Sequence, residues 1–297
     1  MTIATLLFTT MLMAQSNWTV RDHVPMEQFI IQAHRGAGVL APENTLAAFE
    51  LGWKLNCVPE ADVRTTKDGV IVAFHDNDFS RVVVNVTPEL AKKGIKDLTF
   101  AELQKLDVGD GQRVLKMSDI FATMTGKSDR RMYLDIKQVD FDQLAREVEA
   151  AGVEKRVILA TPRHGDIKKW RSLVPDGQTL LWVGSTSDDG LEKKLEPVRA
   201  AKFEGVTQIQ IHTHVREGAP ITRAQPDLFV ESDDYLRARG DEFRKHGILY
   251  QTLPYGKDAA SPEVYWKLLD LGFMSFATDH PEVTWDVVKK YYAEGKK

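Results

Sequence analysis

The sequence predicts a single-domain (β/α)₈ TIM barrel, and three observations predict it. From Phe29 onward, short β-branched apolar runs alternate with helical patterns, and eight such pairs can be followed along the chain. Alternation of this kind implies a parallel sheet whose strands are joined by helices. All eight pairs fit within residues 29–297, and one closed barrel typically takes about 250 residues. No strong Gly-x-Gly-x-x-Gly follows a strand, which disfavours the competing open, doubly wound sheet. The chain has no shorter repeat, no low-complexity tract and no linker. One domain over 29–297 is therefore the economical reading, with a β-hairpin after the second strand and a small helical insertion.

In chain order, Phe29–Ala33 is the first strand and ends at His34. Gly36-Ala37-Gly38 breaks it, and Asn44 or Thr45 caps a helix through Leu46, Phe49, Leu51 and Trp53. Cys57–Arg64 is the second strand. Val70–Phe74 returns beside it after an Asp-Gly turn at Lys67–Gly69. The longer interval 80–130 is expected to lie over or beside one end of the fold. It carries a capping box, Thr99 with Glu102, and a helix near Met117–Met124. Met132–Ile136, Val157–Ala160, Thr179–Val183, Val206–Ile211 and Ile248–Leu253 are the next strands. Helices follow them in turn over 141–151, 166–173, 191–202 (despite Pro197), 233–245, and from a Ser261 cap with Pro262 at the first helical position. Phe273–Ala277 is the last strand, and Pro281 starts the last helix.

Composition narrows the function classes. A net charge of −4 and a pI near 6.1 argue against a nucleic-acid partner, since binding a phosphate backbone needs a basic face. Cys57 is the only cysteine, so neither an intramolecular disulfide nor a thiolate metal cluster can form. Ile3–Ala14 is mostly apolar, and Met13-Ala14-Gln15-Ser16 resembles a small-residue cleavage region. Residues 1–16 are therefore expected to be a signal peptide, although no Lys or Arg precedes Arg21 to form a basic start. On that expectation the protein is secreted or periplasmic; without it, cytoplasmic. The apolar stretch is too short to span a bilayer, so no stable membrane insertion is expected.

In such a barrel the chemistry gathers at the C-terminal ends of the strands. That rule brings His34, Arg35, Glu60, Asp62, Asp135 and Lys137 to one mouth. Glu60 and Asp62 are two apart on a strand and share a face, as do Asp135 and Lys137. The hairpin is expected to pair residues whose numbers sum to about 137, setting His75 across from Asp62. Three bare carboxylates would repel one another. A hard divalent cation resolves that, and oxygen-only ligands favour Ca²⁺, Mg²⁺ or Mn²⁺ over Zn²⁺. The cation, Arg35 and Lys137 would receive an anion, and His34 and His75 can act as acid and base near neutral pH. Together these parts describe phosphoryl-ester cleavage. Each piece alone is a common pattern, and only their convergence carries the reading. Elsewhere, Glu43 before a helix start reads as structural, His212 and His214 as surface loop residues, and Arg163 and His164 as groups that could reach a leaving group. Trp53, Trp170 and Trp266 read as barrel-to-helix packing.

These residues resemble the glycerophosphodiester phosphodiesterase family. The matches run in order over nearly the whole chain after residue 29: Ala33-His34-Arg35-Gly36, Ala41-Pro42-Glu43-Asn44-Thr45, Glu60-x-Asp62, Thr66–Gly69, His75-Asp76, Leu98–Leu103, Leu134–Lys137 and Ala277–Pro281. The resemblance implies a TIM barrel that hydrolyses a small glycerophosphodiester to sn-glycerol 3-phosphate and an alcohol. It implies His34 and His75 as the acid–base pair, and Glu60, Asp62 and residue 135 as ligands of one divalent cation. It also implies Arg35 and Lys137 on the phosphate, and attack by the glycerol 2-hydroxyl through a cyclic phosphate that water opens. The chain departs from the family at Asp135, where Glu is usual, and at Tyr250-Gln251-Thr252, where the family carries a Trp-Thr pair. Asp135 is also a point of similarity to sphingomyelinase D enzymes. A phospholipase D-like lyase releasing a cyclic phosphate is accordingly the second reading, and a non-catalytic phosphoester-binding barrel the third.

Overall fold

The computed structural model describes residues 18–294, so the signal-peptide expectation for residues 1–16 lies outside the described residues. A short helix α1 (Val20–His23) precedes the first strand. The strands are β1 (Ile30–Ala33), β2 (Val58–Thr65), β3 (Ile71–Ala73), β4 (Met132–Gln138), β5 (Val157–Thr161), β6 (Gln178–Gly184), β7 (Gln208–His214), β8 (Leu249–Tyr255) and β9 (Ser275–Thr278). The helices that follow are α2 (Leu46–Lys54), α3 (Phe100–Leu103), α4 (Met117–Met124), α5 (Phe141–Ala150), α6 (His164–Leu173), α7 (Asp188–Ala200), α8 (Asp233–Lys245), α9 (Pro262–Asp270) and α10 (Pro281–Glu294).

All the strands but β3 pair in parallel, and β1 bonds both β2 and β9, which closes the ring as a TIM barrel. β3 lies outside the ring, antiparallel to β2. Local chemistry explains the element starts. Thr45, rather than Asn44, caps α2, its hydroxyl accepting from Ala48 N at 3.2 Å. Thr99 and Glu102 form the expected capping box at α3. Between β3 and β4, 3₁₀ turns with α3 and α4 fill the interval, and a separate apolar cluster including Phe74, Phe79, Ile95 and Leu103 anchors it beside β3.

The barrel interior is small and partly polar. Tyr133, Ile158, Ala160 and Leu180 form its apolar plug. Beside them Tyr133 donates to Gln208 Oε1 at 2.8 Å and Gln251 Nε2 donates to Ser275 Oγ at 2.8 Å. Gln251 Nε2 also donates to Tyr133 Oη at 3.3 Å, so these four buried side chains hydrogen-bond one another, as burial demands. Most of the apolar core lies outside the ring, between strands and helices, where Trp170 is fully buried and Trp53 and Trp266 pack at the edges. No helix among the described residues is long and apolar enough to cross a membrane.

Two expectations need correction. The hairpin pairs Val63 with Ala73 and Thr65 with Ile71, so the numbers sum to an even value. The reason is the turn. Thr66 and Val70 still pair, leaving a three-residue loop with Gly69 at φ +82°, whereas a two-residue Asp-Gly turn gives an odd sum. Phe74, not His75, is therefore level with Asp62, and Phe74 N donates to Asp62 O at 2.8 Å. Second, β7 continues past Ile211, paired residue by residue with β8 as far as His214 with Tyr255. His212 and His214 are thus half-buried strand residues and not surface loop residues. Polar side chains hid a ladder that backbone pairing sustains.

Candidate active site

The mouth is built first by the backbone after β1. Arg35 and Asn44 both lie in the left-handed region, at φ 54° and 56°, with Gly36 at φ 111° between them. Such a conformation is costly for an arginine and must be held by its surroundings. Here Asn44 N donates to Arg35 O at 2.9 Å, and the Asn44 side chain is fastened to Asp62 twice. Its Nδ2 donates to Asp62 Oδ2 at 2.8 Å and its Oδ1 accepts from Asp62 N at 2.9 Å. The loop also packs onto the end of β9, where Val39 N donates to Asp279 O at 2.9 Å. A Cβ at Gly38 would stand 2.0 Å from that same Asp279 oxygen, so only glycine allows this approach.

Glu60, Asp62 and Asp135 are buried, and one oxygen of each lies within 4.8 Å of the others. Register explains it: Asp62 of β2 stands directly beside Asp135 of β4, and Glu60 beside Tyr133. Lys137 hydrogen-bonds Asp135 Oδ2, and its Nζ is 3.1 Å from Asp62 Oδ1. Trp182 Nε1 donates to Asp135 Oδ1 at 3.1 Å. Burial would raise the Asp62 carboxyl, but Lys137, His75, the Asn44 hydrogen bond and His34 together outweigh it and hold the group below its usual value. Glu60 has no lysine against it, and its Oε2 accepts from the Arg35 backbone N–H at 3.3 Å. Its burial, with Asp62 and Asp135 nearby, pushes it up to about 7 despite the opposing pull of His34. Asp62 Oδ1 is buried without a well-directed hydrogen bond. An all-oxygen donor set with an orphaned buried oxygen and an excess of negative charge fits a hard divalent cation.

The two histidines are held alike. His34 Nδ1–H donates to Asp279 Oδ1 at 2.7 Å, and His75 Nδ1–H donates to Asp76 Oδ1 at 2.6 Å. Nε2 is thereby left as the exchanging nitrogen on both rings. His34 Nε2 is 3.9 Å from Glu60 Oε2. Burial favours the neutral His34 ring, but the Glu60 charge and the Asp279 hydrogen bond outweigh it and push His34 up to about 9. His75 is close enough to Asp62 to help hold that carboxylate ionised. Arg35 Nη1 donates to both Glu43 oxygens at 3.2 and 3.0 Å, so Glu43 steadies a site arginine.

The structure thus brings His34, Arg35, Glu60, Asp62, His75, Asp135 and Lys137 to one mouth. It leaves His164 out: that ring donates from Nε2 to Glu204 O at 2.7 Å, and Arg163 pairs with Asp166. Sequence reasoning missed Asp76, Arg81, Trp182 and Asp279 as partners of site groups. Asp76 could have been found as the carboxylate next to His75. Asp279 could have been found as the acidic residue at the end of the strand that closes on β1.

Comparison with known proteins gives the family and the fold. The family model described as the glycerophosphoryl diester phosphodiesterase family matches residues 34–283. The chain belongs to that family. It is 23% identical over 290 residues to a glycerophosphodiester phosphodiesterase of Bacillus subtilis (strain 168), covering 89% of this chain and 88% of that one. A glycerophosphodiester phosphodiesterase of Caldanaerobacter subterraneus subsp. tengcongensis is 28% identical over 160 residues, which is 49% of this chain and 63% of that protein. In structure, the chain is similar to an Oleispira antarctica phosphodiesterase solved in complex with the product sn-glycerol-3-phosphate. The TM-score is 0.59 at 20% identity, over 88% of this chain and 96% of that one. That likeness establishes the barrel.

A pH dependence follows from the family member's own carboxylates. Burial would raise Asp76, but hydrogen bonds from Arg81 and His75 outweigh it and pull it down to about 2 from 3.8. A carboxyl depressed in the fold stabilises above its unfolded value, and that contribution is lost as pH falls through the folded value. The melting temperature of Asp76→Asn should therefore fall less steeply than that of the wild type between pH 4 and pH 2, by circular dichroism. Equal slopes would show that Asp76 is not held ionised by these partners.

Proposed function

We propose that this protein is a metal-dependent phosphodiesterase that hydrolyses small glycerophosphodiesters to sn-glycerol 3-phosphate and an alcohol. One observation carries the reading. Two histidines, each with Nδ1 committed to a carboxylate, accompany a buried Glu60–Asp62–Asp135 cluster at the same mouth. Two rings with free Nε2 atoms give an acid and a base. One takes the proton of the attacking glycerol 2-hydroxyl as the phosphorus–oxygen bond to the alcohol breaks, and the other delivers a proton to that leaving oxygen. With roles reversed, the pair then activates the water that opens the cyclic phosphate and returns a proton to the 2-hydroxyl. Arg35 and Lys137 supply the fixed positive charge that orients the phosphate and meets its growing charge. Glu60, Asp62 and Asp135 would hold one divalent cation, Ca²⁺ or Mg²⁺ ahead of Mn²⁺, whose chemistry is Lewis-acid stabilisation of the phosphate. The product complex of the Oleispira antarctica neighbour supports the choice of sn-glycerol 3-phosphate.

Phosphorus NMR of a turnover screen tests this. Glycerophosphocholine, glycerophosphoethanolamine and glycerophosphoglycerol would each be incubated with the protein and each cation. The expected result is one monoester resonance that glycerol-3-phosphate dehydrogenase consumes. A cyclic phosphate as the end product would replace hydrolysis with cyclisation. Binding without any turnover would reduce the barrel to a phosphoester receptor.

A further inference from the structure

We propose that Arg81 is a positioning residue that ties His75 and Arg35 into one unit, through Asp76 on one side and Glu43 on the other. The proposal rests on the roles given to His75 and Arg35 above. The contacts are continuous. Arg81 Nε donates to Asp76 Oδ2 at 2.6 Å and Nη2 to Asp76 Oδ1 at 2.9 Å. On its other edge Nη1 donates to Glu43 Oε2 at 2.6 Å and Nη2 to Glu43 Oε1 at 2.7 Å. Asp76 Oδ1 is also the oxygen that accepts from His75 Nδ1, and both Glu43 oxygens also accept from Arg35 Nη1.

The geometry needs an arginine. A guanidinium is planar and presents two bidentate edges, whereas an ammonium offers one point of charge. Arg81 uses all three of its nitrogens, and both carboxylates give it both oxygens. Its side chain is nonetheless 48% exposed, so it fills no core position and its substitution leaves no apolar cavity. Each carboxylate it holds would otherwise have a single side-chain hydrogen-bond partner among the described residues, His75 for Asp76 and Arg35 for Glu43. Arg35 has most to lose, because its Nε is buried without a partner and Glu43 alone among the described residues hydrogen-bonds its guanidinium. The three anchors come from different places: Glu43 from the loop before α2, Asp76 from just beyond β3, and Arg81 from the start of the helical insertion. Arg81 therefore fastens the insertion to the mouth, and at the same time fixes the tilt of the His75 ring and the reach of Arg35.

Steady-state kinetics on the turned-over glycerophosphodiester, with the full chain and its cation, test this. Arg81→Ala should lower kcat at least tenfold, through His75, and raise KM severalfold, through Arg35. Added guanidinium ion should restore part of the kcat of Arg81→Ala and none of that of His75→Ala. Arg81→Lys should stay within threefold of Arg81→Ala. Should Arg81→Ala fail to fold, Arg81→Lys carries the test alone, with an unchanged melting temperature and the same combined kcat and KM defect expected. Arg81→Ala or Arg81→Lys within twofold of wild type in both constants would overturn the proposal. So would a loss that follows the melting temperature and that guanidinium does not relieve. His75→Ala and Arg35→Ala separate the two levels. If both turn over like wild type, the site reading itself is wrong; if both are impaired and Arg81→Ala is not, only the tie is.

Discussion

Replacing His34 or His75 with alanine is expected to lower kcat by about 10²–10⁴-fold, the usual worth of a positioned acid or base. Each ring is held at Nδ1 by its own carboxylate, so neither can take over the other's position. The fold should survive both changes. Both rings stand beyond the last paired residues of their strands, and neither belongs to an apolar cluster. Far-ultraviolet circular dichroism should therefore overlay with wild type. The effect should fall on kcat more than on KM, because the rings act on protons moving in the transition state. Turnover at the wild-type rate by either variant would remove the acid–base assignment. Loss of the fold together with activity would leave His34 or His75 as a structural residue.

How much of this was legible in the sequence depends on the range of the interaction. The barrel was legible because each strand–helix pair announces itself locally, by apolar runs, by caps such as Thr45 and Thr99, and by Pro262 in the first turn of α9, although the Ser261 side chain makes no cap hydrogen bond. The carboxylate cluster was legible because residues two apart on a strand share a face, and the strand-end rule then places Glu60, Asp62 and Asp135 together. What was illegible depended on tertiary closure. Asp279 is 245 residues from His34, and only the pairing of β1 with β9 brings them within 2.7 Å. The hairpin register turned on whether the loop holds two residues or three, and the Asp-Gly pair alone does not decide that. The polar ends of β7 were illegible for another reason. A strand interior to a closed ring is sustained by its two neighbours whatever its side chains, so composition understated its length. The Arg81 bridge needs two loops and a hairpin end in place before any of its contacts exists.

Removing divalent cations should abolish turnover, and returning them should restore it. With all three carboxylates ionised, Glu60, Asp62 and Asp135 have Lys137 and the His34 imidazolium in ion-pair contact, which leaves one negative charge in excess among the groups that touch. A dication turns that excess into one positive charge, the sign needed to hold a singly charged phosphodiester. The same ledger predicts an effect on the fold, separate from activity. A cation that binds only the folded chain stabilises it by about 2.7 kcal/mol at 100 times its dissociation constant. Calcium or magnesium should therefore raise the melting temperature of chelator-treated wild type. The shift should be much smaller in Asp62→Asn, which keeps its shape but gives up one of the charges. Asp135→Glu probes the shorter arm. Trp182 and Lys137 grip Asp135 where it now stands, so lengthening the arm moves the carboxylate off both partners. The variant should bind the cation more weakly, with a smaller melting shift than the wild type; an equal or larger shift would show that these two partners do not set the ligand's position. Full activity after exhaustive chelation, with no thermal response to any of the three cations, would exclude a metal from this cluster and leave Lys137 as its permanent counter-ion.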